Sequence, residues 1–213
     1  MTHHKEPTLF LYLLQGATLG LSATANPGPF QAFLLTQTLQ NGWRRTLPAS
    51  LAPLVTDGPI IALVLLILTQ TPGWFLTLLR ILGGLFILYL ARGTFLALNE
   101  PVVDSDDAAD AAQLSFARAI VMNALSPGPY LFWGIIAGPI VIDAWGQSPG
   151  FSISFVVGFY AAFCSSLAVF IILTATARRL GSQVSRILLA GSGLALLAFG
   201  LYQFWTGVSE LLT

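Results

Sequence analysis

The chain has 213 residues, of which 55% are hydrophobic and 8% charged, with nine basic and nine acidic side chains. Soluble domains carry about a quarter charged residues, so this chain cannot cover a soluble globule of its size with polar surface. Composition therefore excludes a disordered chain, a nucleic-acid binder and an ordinary cytosolic enzyme. The length admits one membrane domain of about six spans at ~20 residues each.

The amino terminus opens with His3 and His4, then Lys5 beside Glu6. Ala23-Thr24-Ala25 resembles a signal-peptidase site. The weak basic start and the recurrence of the following motif later in the chain argue against cleavage. Span one, 9–39, carries no charge and ends at Asn41-Gly42-Trp43-Arg44-Arg45. Within it stands Asn26-Pro27-Gly28-Pro29-Phe30. Span two, 46–71, holds one charge, Asp57, followed by Gly58-Pro59. Span three, 74–91, holds only Arg80 and the pair Gly83-Gly84.

The stretch that follows is acidic, with Glu100, Asp104, Asp106, Asp107 and Asp110. It reads as a solvated linker, because the Asp spacing fits no standard metal loop. Span four, 119–142, contains Asn123 and Ser126-Pro127-Gly128-Pro129-Tyr130. Span five, 151–177, contains Cys164, the only cysteine, read as a small buried hydrophobe. Span six, 187–208, is free of charge. These runs are too long and too uniformly apolar for barrel strands, so the spans are expected to be helices.

Basic residues orient the spans. Arg44, Arg45, Arg92, Arg118, Arg178, Arg179 and Arg186 fall on one side, against Lys5 and Arg80 on the other. The positive-inside rule then puts both termini outside the cytoplasm and the acidic linker within it.

The chain also repeats itself. The Pro-Gly-Pro motif of span one returns 100 positions later, and Arg80-Ile81-Leu82 returns as Arg186-Ile187-Leu188. Three spans per copy force the second copy to cross in the opposite sense, the inverted plan of many secondary transporters. The expected fold is an all-α polytopic membrane protein in one domain, 1–213. Its six helices form two inverted three-helix repeats, 9–98 and 115–210, joined by the linker 99–114.

Two prolines around a glycine interrupt helical hydrogen bonding. Pro127 lies nine residues beyond Arg118, roughly 13 Å along a helix. Unpaired backbone at that depth is tolerated only when buried or lining a wet cavity. Half-helices starting there present N–H groups and a positive dipole end, suited to the carboxylate of a small substrate. The alternative is a pair of packing kinks. Asp57 sits far from both ends of span two, where a carboxylate costs about 2.5–3.5 kcal/mol on insertion scales. It is expected to bind a substrate ammonium group, to carry a coupling proton, or both. Desolvation favours the neutral form of a carboxyl group, which suits proton carriage. The alternatives are a structural hydrogen bond or an ion pair; Arg80 is the nearest basic candidate, but outward snorkelling is the favoured reading for it.

Asn26, Gln31, Asn123 and Ser126 border the breaks and join the candidate substrate site, with Pro27, Gly28, Pro29, Pro127, Gly128, Pro129 and Tyr130. Gln37 reads as an interhelical hydrogen bond. Trp133 could wall a cavity, while Trp43, Trp74, Trp145 and Trp205 read as interface anchors. Gly83-Gly84 and Gly191 with Gly193 read as close helix packing, within one chain or in a homodimer.

Asn26-Pro27-Gly28-Pro29, Asp57 with its neighbouring glycine, Asn123-Ala124-Leu125-Ser126-Pro127 and Gly138-Pro139 together resemble the LysE/RhtB amino-acid exporters of bacteria. The resemblance covers roughly residues 9–210. It implies a protein of the bacterial inner membrane that exports an amino acid, driven by the proton motive force. Many members carry Asn-Pro-Lys at the second break, where this chain has Ser126-Pro127-Gly128. The missing lysine removes a basic partner for Asp57 or for a substrate carboxylate. The expected partners are the amino-acid substrate, protons and membrane lipid, with no cofactor and no nucleic acid. A metal-ion or other cation exporter on the same scaffold is the alternative, but it would call for Cys, His or clustered acids in the spans. An intramembrane enzyme lacks a base or metal cluster at depth, and a purely structural role would not require paired breaks around a buried acid.

Overall fold

The structure is a computed structural model that describes residues 8–25, 28–64, 73–98, 108–178 and 181–212. Every regular element among the described residues is helical. In chain order they are α1 (Leu9–Ala25), α2 (Pro29–Asn41), α3 (Trp43–Thr46), α4 (Ala52–Ala62), α5 (Gly73–Ala97), α6 (Ala108–Ala124), α7 (Pro127–Leu131), α8 (Gly138–Gln147), α9 (Pro149–Arg178) and α10 (Ser182–Leu211). A 3₁₀ turn, Leu47–Leu51, leads into α4, and a π-helical turn, Phe132–Ala137, joins α7 to α8.

The helices α5, α9 and α10 are each long and apolar enough to cross a membrane. The pair formed by α6 and the continuous helix Pro127–Gln147 makes a fourth such segment, bent by 50° at its break. Large apolar side chains such as Phe10, Trp74, Tyr202 and Trp205 lie exposed along the outer faces, the pattern of a protein whose solvent is lipid. The protein is a helical, multi-pass membrane protein.

Close helix contacts organise the fold. Helix α1 lies along α9 and α5 lies along α10. Gly16 and Gly20, one turn apart on α1, meet the backbone of Phe155 and Phe159, and Gly158 of α9 meets the backbone of Leu13. In lipid, where apolar burial drives little association, such small residues let backbones approach. On the other pair, Gly84 abuts the Phe204 backbone, while Gly200 and Gly207 abut Leu88 and Ile81. Gly83 instead meets Gln203 and the Leu125 carbonyl beside the second break. Gly191 meets nothing among the described residues, so the packing read for it is not seen there, whereas Gly193 abuts Thr94 and Phe95.

The π-helical turn has a proline behind it. Pro139 cannot donate a hydrogen bond to the preceding turn, and the Gly138 N–H reaches back five residues to the Trp133 carbonyl. The result is the π-turn that carries Trp133. Helix α6 starts at Ala108, inside the stretch read as linker, because Ala108, Ala109, Ala111 and Ala112 favour helix. The rest of the acidic stretch, 99–107, lies outside the described residues, as do His3, His4, Lys5, Pro72 and Arg179.

Two apolar clusters fill the interior. One gathers Phe33, Ile87, Met122, Ile171 and Leu196, the other Tyr12, Ile60, Trp133, Phe155 and Phe159. Phe163 packs against both, and the candidate site lies beside it.

Candidate functional site

Asp57 is 4% exposed and sits at the heart of a hydrogen-bonded cluster. Helix α4 brings it there two residues before Pro59, whose missing N–H loosens the helix at that point. The Asn123 amide donates to Asp57 Oδ1 at 2.8 Å and to the Thr56 hydroxyl at 2.6 Å. Thr56 donates to the same carboxyl oxygen at 3.4 Å. On the other oxygen, Oδ2, the Tyr160 hydroxyl donates at 3.1 Å and the Trp133 indole N–H at 3.3 Å. Four helical elements thus meet on one carboxylate: α4, α6, the π-turn and α9. A buried acid needs such donors to offset lost hydration.

The carboxylate faces a cavity of about 550 Å³, within the ordinary range for small-molecule sites. Both helix breaks open onto it. From the first come Pro29 and Gln31, and from the second Ser126, Pro127, Gly128 and Pro129. Asn123 lines it as well, and Gln203 of α10 closes one side. Apart from Ser22 of α1, the remaining wall is apolar and aromatic, including Phe30, Phe132, Trp133, Phe159 and Phe163. Of the sequence-derived candidates, Gly28 and Tyr130 lie beside the breaks without lining the cavity, and Asn26 and Pro27 lie outside the described residues.

Each break is strapped by a side chain from the half-helix that follows. Gln31 accepts from the Gly28 N–H at 3.1 Å and donates to the Thr24 carbonyl of α1 at 3.4 Å. Tyr130 donates to the Ala124 carbonyl of α6 at 2.9 Å, and Ser126 donates to the Met122 carbonyl at 2.7 Å. These bonds satisfy carbonyls in the last turns of α1 and α6, where the helices end and leave them without amide partners. The half-helix ends are also unequal as anion sites. Pro127 and Pro129 carry no N–H, so the start of α7 offers the Gly128 amide alone in its first three positions. Helix α2 has proline at its first position only, so Phe30 at its second position keeps an N–H.

Sequence reasoning missed Tyr160, Thr56 and Phe159. The signal for Tyr160 was the repeat itself: it falls 103 positions after Asp57, between the repeat offsets of 100 and 106 set by the Pro-Gly-Pro motif and by Arg80. Trp133 does wall the cavity, and it also holds the carboxylate. Gln37 makes the interhelical contact expected of it, accepting from Ser115 at 2.8 Å. Arg80 does not reach Asp57. It pairs with Glu210 at the end of α10, where Thr77 also donates to that carboxylate at 2.8 Å.

Comparison with known proteins gives one consistent answer. The LysE type translocator family matches residues 21–206. The "Putative amino acid efflux protein YcgF" of Bacillus subtilis (strain 168) is 26% identical over 205 residues, covering 91% of this chain and 95% of that protein. No solved structure matches. The chain belongs to the LysE type translocator family.

Proposed function

We propose that this protein is a secondary active exporter of an amino acid or similar small zwitterion, coupled to protons and set in the bacterial inner membrane. The observation that carries the reading is the convergence of both helix breaks and one buried carboxylate on a single cavity. Membership of a translocator family, and the efflux function named for the Bacillus subtilis relative, support it.

In this reading the chain folds as six spans in two inverted repeats, with both termini outside the cytoplasm. Helix α5 packing along α10 supports the plan, since spans three and six are mates across the two-fold. So do the pairings of α1 with α9 and of α4 with α6, which are span one on five and span two on four. Asp57 and Tyr160, mates in the repeat, are bonded to one another. One copy supplies the charge and the other a donor.

Asp57 takes the substrate ammonium, which competes with the four protein donors now on the carboxylate. The Phe30 amide and the positive end of α2 take the substrate carboxylate. Release on the far side leaves Asp57 to accept a proton, which returns it inward. The protein reconstituted in liposomes is expected to move a labelled amino acid faster when a pH gradient is imposed. Movement of a divalent cation with no amino acid moving would overturn the reading. With Cys164→Ala in place, Asp106→Cys is expected to resist impermeant thiol reagents added outside intact cells; labelling there would invert the topology.

A further inference from the structure

We propose that the site selects a neutral amino acid with a bulky apolar side chain and turns away basic and acidic ones. This deepens the transport reading above and rests on it.

Asp57 is the single ionisable side chain among the described residues that line the cavity. Asn26 and Pro27, which adjoin the first break, are uncharged. One carboxylate balances one ammonium. The second cation of a lysine or arginine substrate would enter a largely apolar chamber without a counter-ion, a heavy desolvation cost. The side-chain carboxylate of an acidic substrate would meet no lining cation.

Apart from the Ser22 hydroxyl, the uncharged polar lining side chains already donate inside the protein. Asn123 donates to Asp57 and Thr56, Ser126 to the Met122 carbonyl, and Gln31 straps the first break. Gln203 donates to the Leu79 carbonyl at 3.4 Å. A substrate hydroxyl or amide that sought one of these donors would have to break its bond. An apolar side chain breaks none, and it meets a wall of rings. Phe159 stacks on Phe132 at 5.0 Å and on Phe163 at 5.4 Å, with its edge to Trp133 at 5.5 Å. This array presents apolar surface to the cavity, wide enough for leucine or phenylalanine within about 550 Å³.

The test is counterflow in proteoliposomes holding the full chain, with labelled leucine inside and unlabelled competitors outside. Leucine and phenylalanine are expected to exchange, alanine about 10-fold or more weakly, and lysine and glutamate not at all. Phe132→Ala is expected to raise the half-saturating concentration for leucine about 10-fold while leaving that for alanine nearly unchanged. Exchange of lysine or glutamate as strong as that of leucine overturns this inference and leaves the transport reading standing. An equal loss for leucine and alanine in Phe132→Ala, with the protein still monodisperse, also overturns it. Should Phe132→Ala fail to fold, the competition series on the parent protein decides alone. If no amino acid of any class exchanges, the transport reading falls first and this inference with it.

Discussion

Replacing Asp57 by asparagine separates charge from shape. The amide can keep its oxygen where Oδ2 stands, still accepting from Tyr160 and Trp133. Its NH₂ then takes the place of Oδ1, against the Asn123 amide. Turning the Asn123 amide over presents its oxygen instead, and the Thr56 hydroxyl rotates to donate where it had accepted. The network closes again, so Asp57→Asn is expected to fold and to elute as the parent does. What cannot be rebuilt is attraction for an ammonium group. Two unit charges 4 Å apart at an effective dielectric of ~20 attract by about 4 kcal/mol, which is about 10³-fold in affinity. Exchange of labelled substrate in proteoliposomes should therefore fall by about that factor at substrate concentrations below half-saturation. Asp57→Asn exchanging within tenfold of the parent rate, at equal reconstitution, would refute the assignment of the carboxylate to the ammonium.

Three further outcomes follow from the packing and the network. Gly16→Ala puts a methyl group against the Phe155 carbonyl and should lower stability by about 1–3 kcal/mol; Gly191→Ala, with open space around it, should raise it by about 0.5–1 kcal/mol, and parallel thermal melts in detergent test the contrast. Tyr160→Phe keeps the ring contacts with Trp133 and Phe159 but removes a bond to a carboxylate worth about 1.5–3 kcal/mol; a melting temperature equal to the parent's would remove Tyr160 from the network. Glu210→Gln breaks the ion pair with Arg80, whose side chains are 25% and 37% exposed, so the loss should stay under about 1 kcal/mol; a large loss by chemical denaturation would mean that the pair is far better shielded than its exposure indicates.

Much of the architecture was legible because lipid restricts what a sequence can say. Charge-free runs, the paired Pro-Gly-Pro motifs and a lone acid in span two each have few physical readings, and the cavity gathers the described parts of them. Side-chain duties at the breaks were less legible. Gln31 looked like a substrate ligand, yet a proline break frees backbone groups, and the nearest flexible amide is drawn to them. Trp133 was placed correctly as a wall, but its bond to Asp57 depends on a π-turn set by Pro139, six residues away. Arg80 found a partner 130 positions distant, because helix ends meet in space without regard to chain separation. Tyr160 was hidden because a neutral phenol within an apolar run carries no charge to mark it, although its hydroxyl serves the acid of the other half.

A cavity with one titratable carboxylate also limits what the proton gradient can do. If Asp57 is the only group that exchanges a proton for an ammonium, each turnover moves one charge through the membrane field. Such a charge draws about 2.3 kcal/mol from a potential of 100 mV. That sustains a concentration ratio of about 50-fold per 100 mV, multiplied about tenfold for each unit of pH gradient. A cell using this protein would hold its substrate below an overflow level and would not empty itself of it: the arithmetic of a relief valve, set by the one acid among the described lining residues.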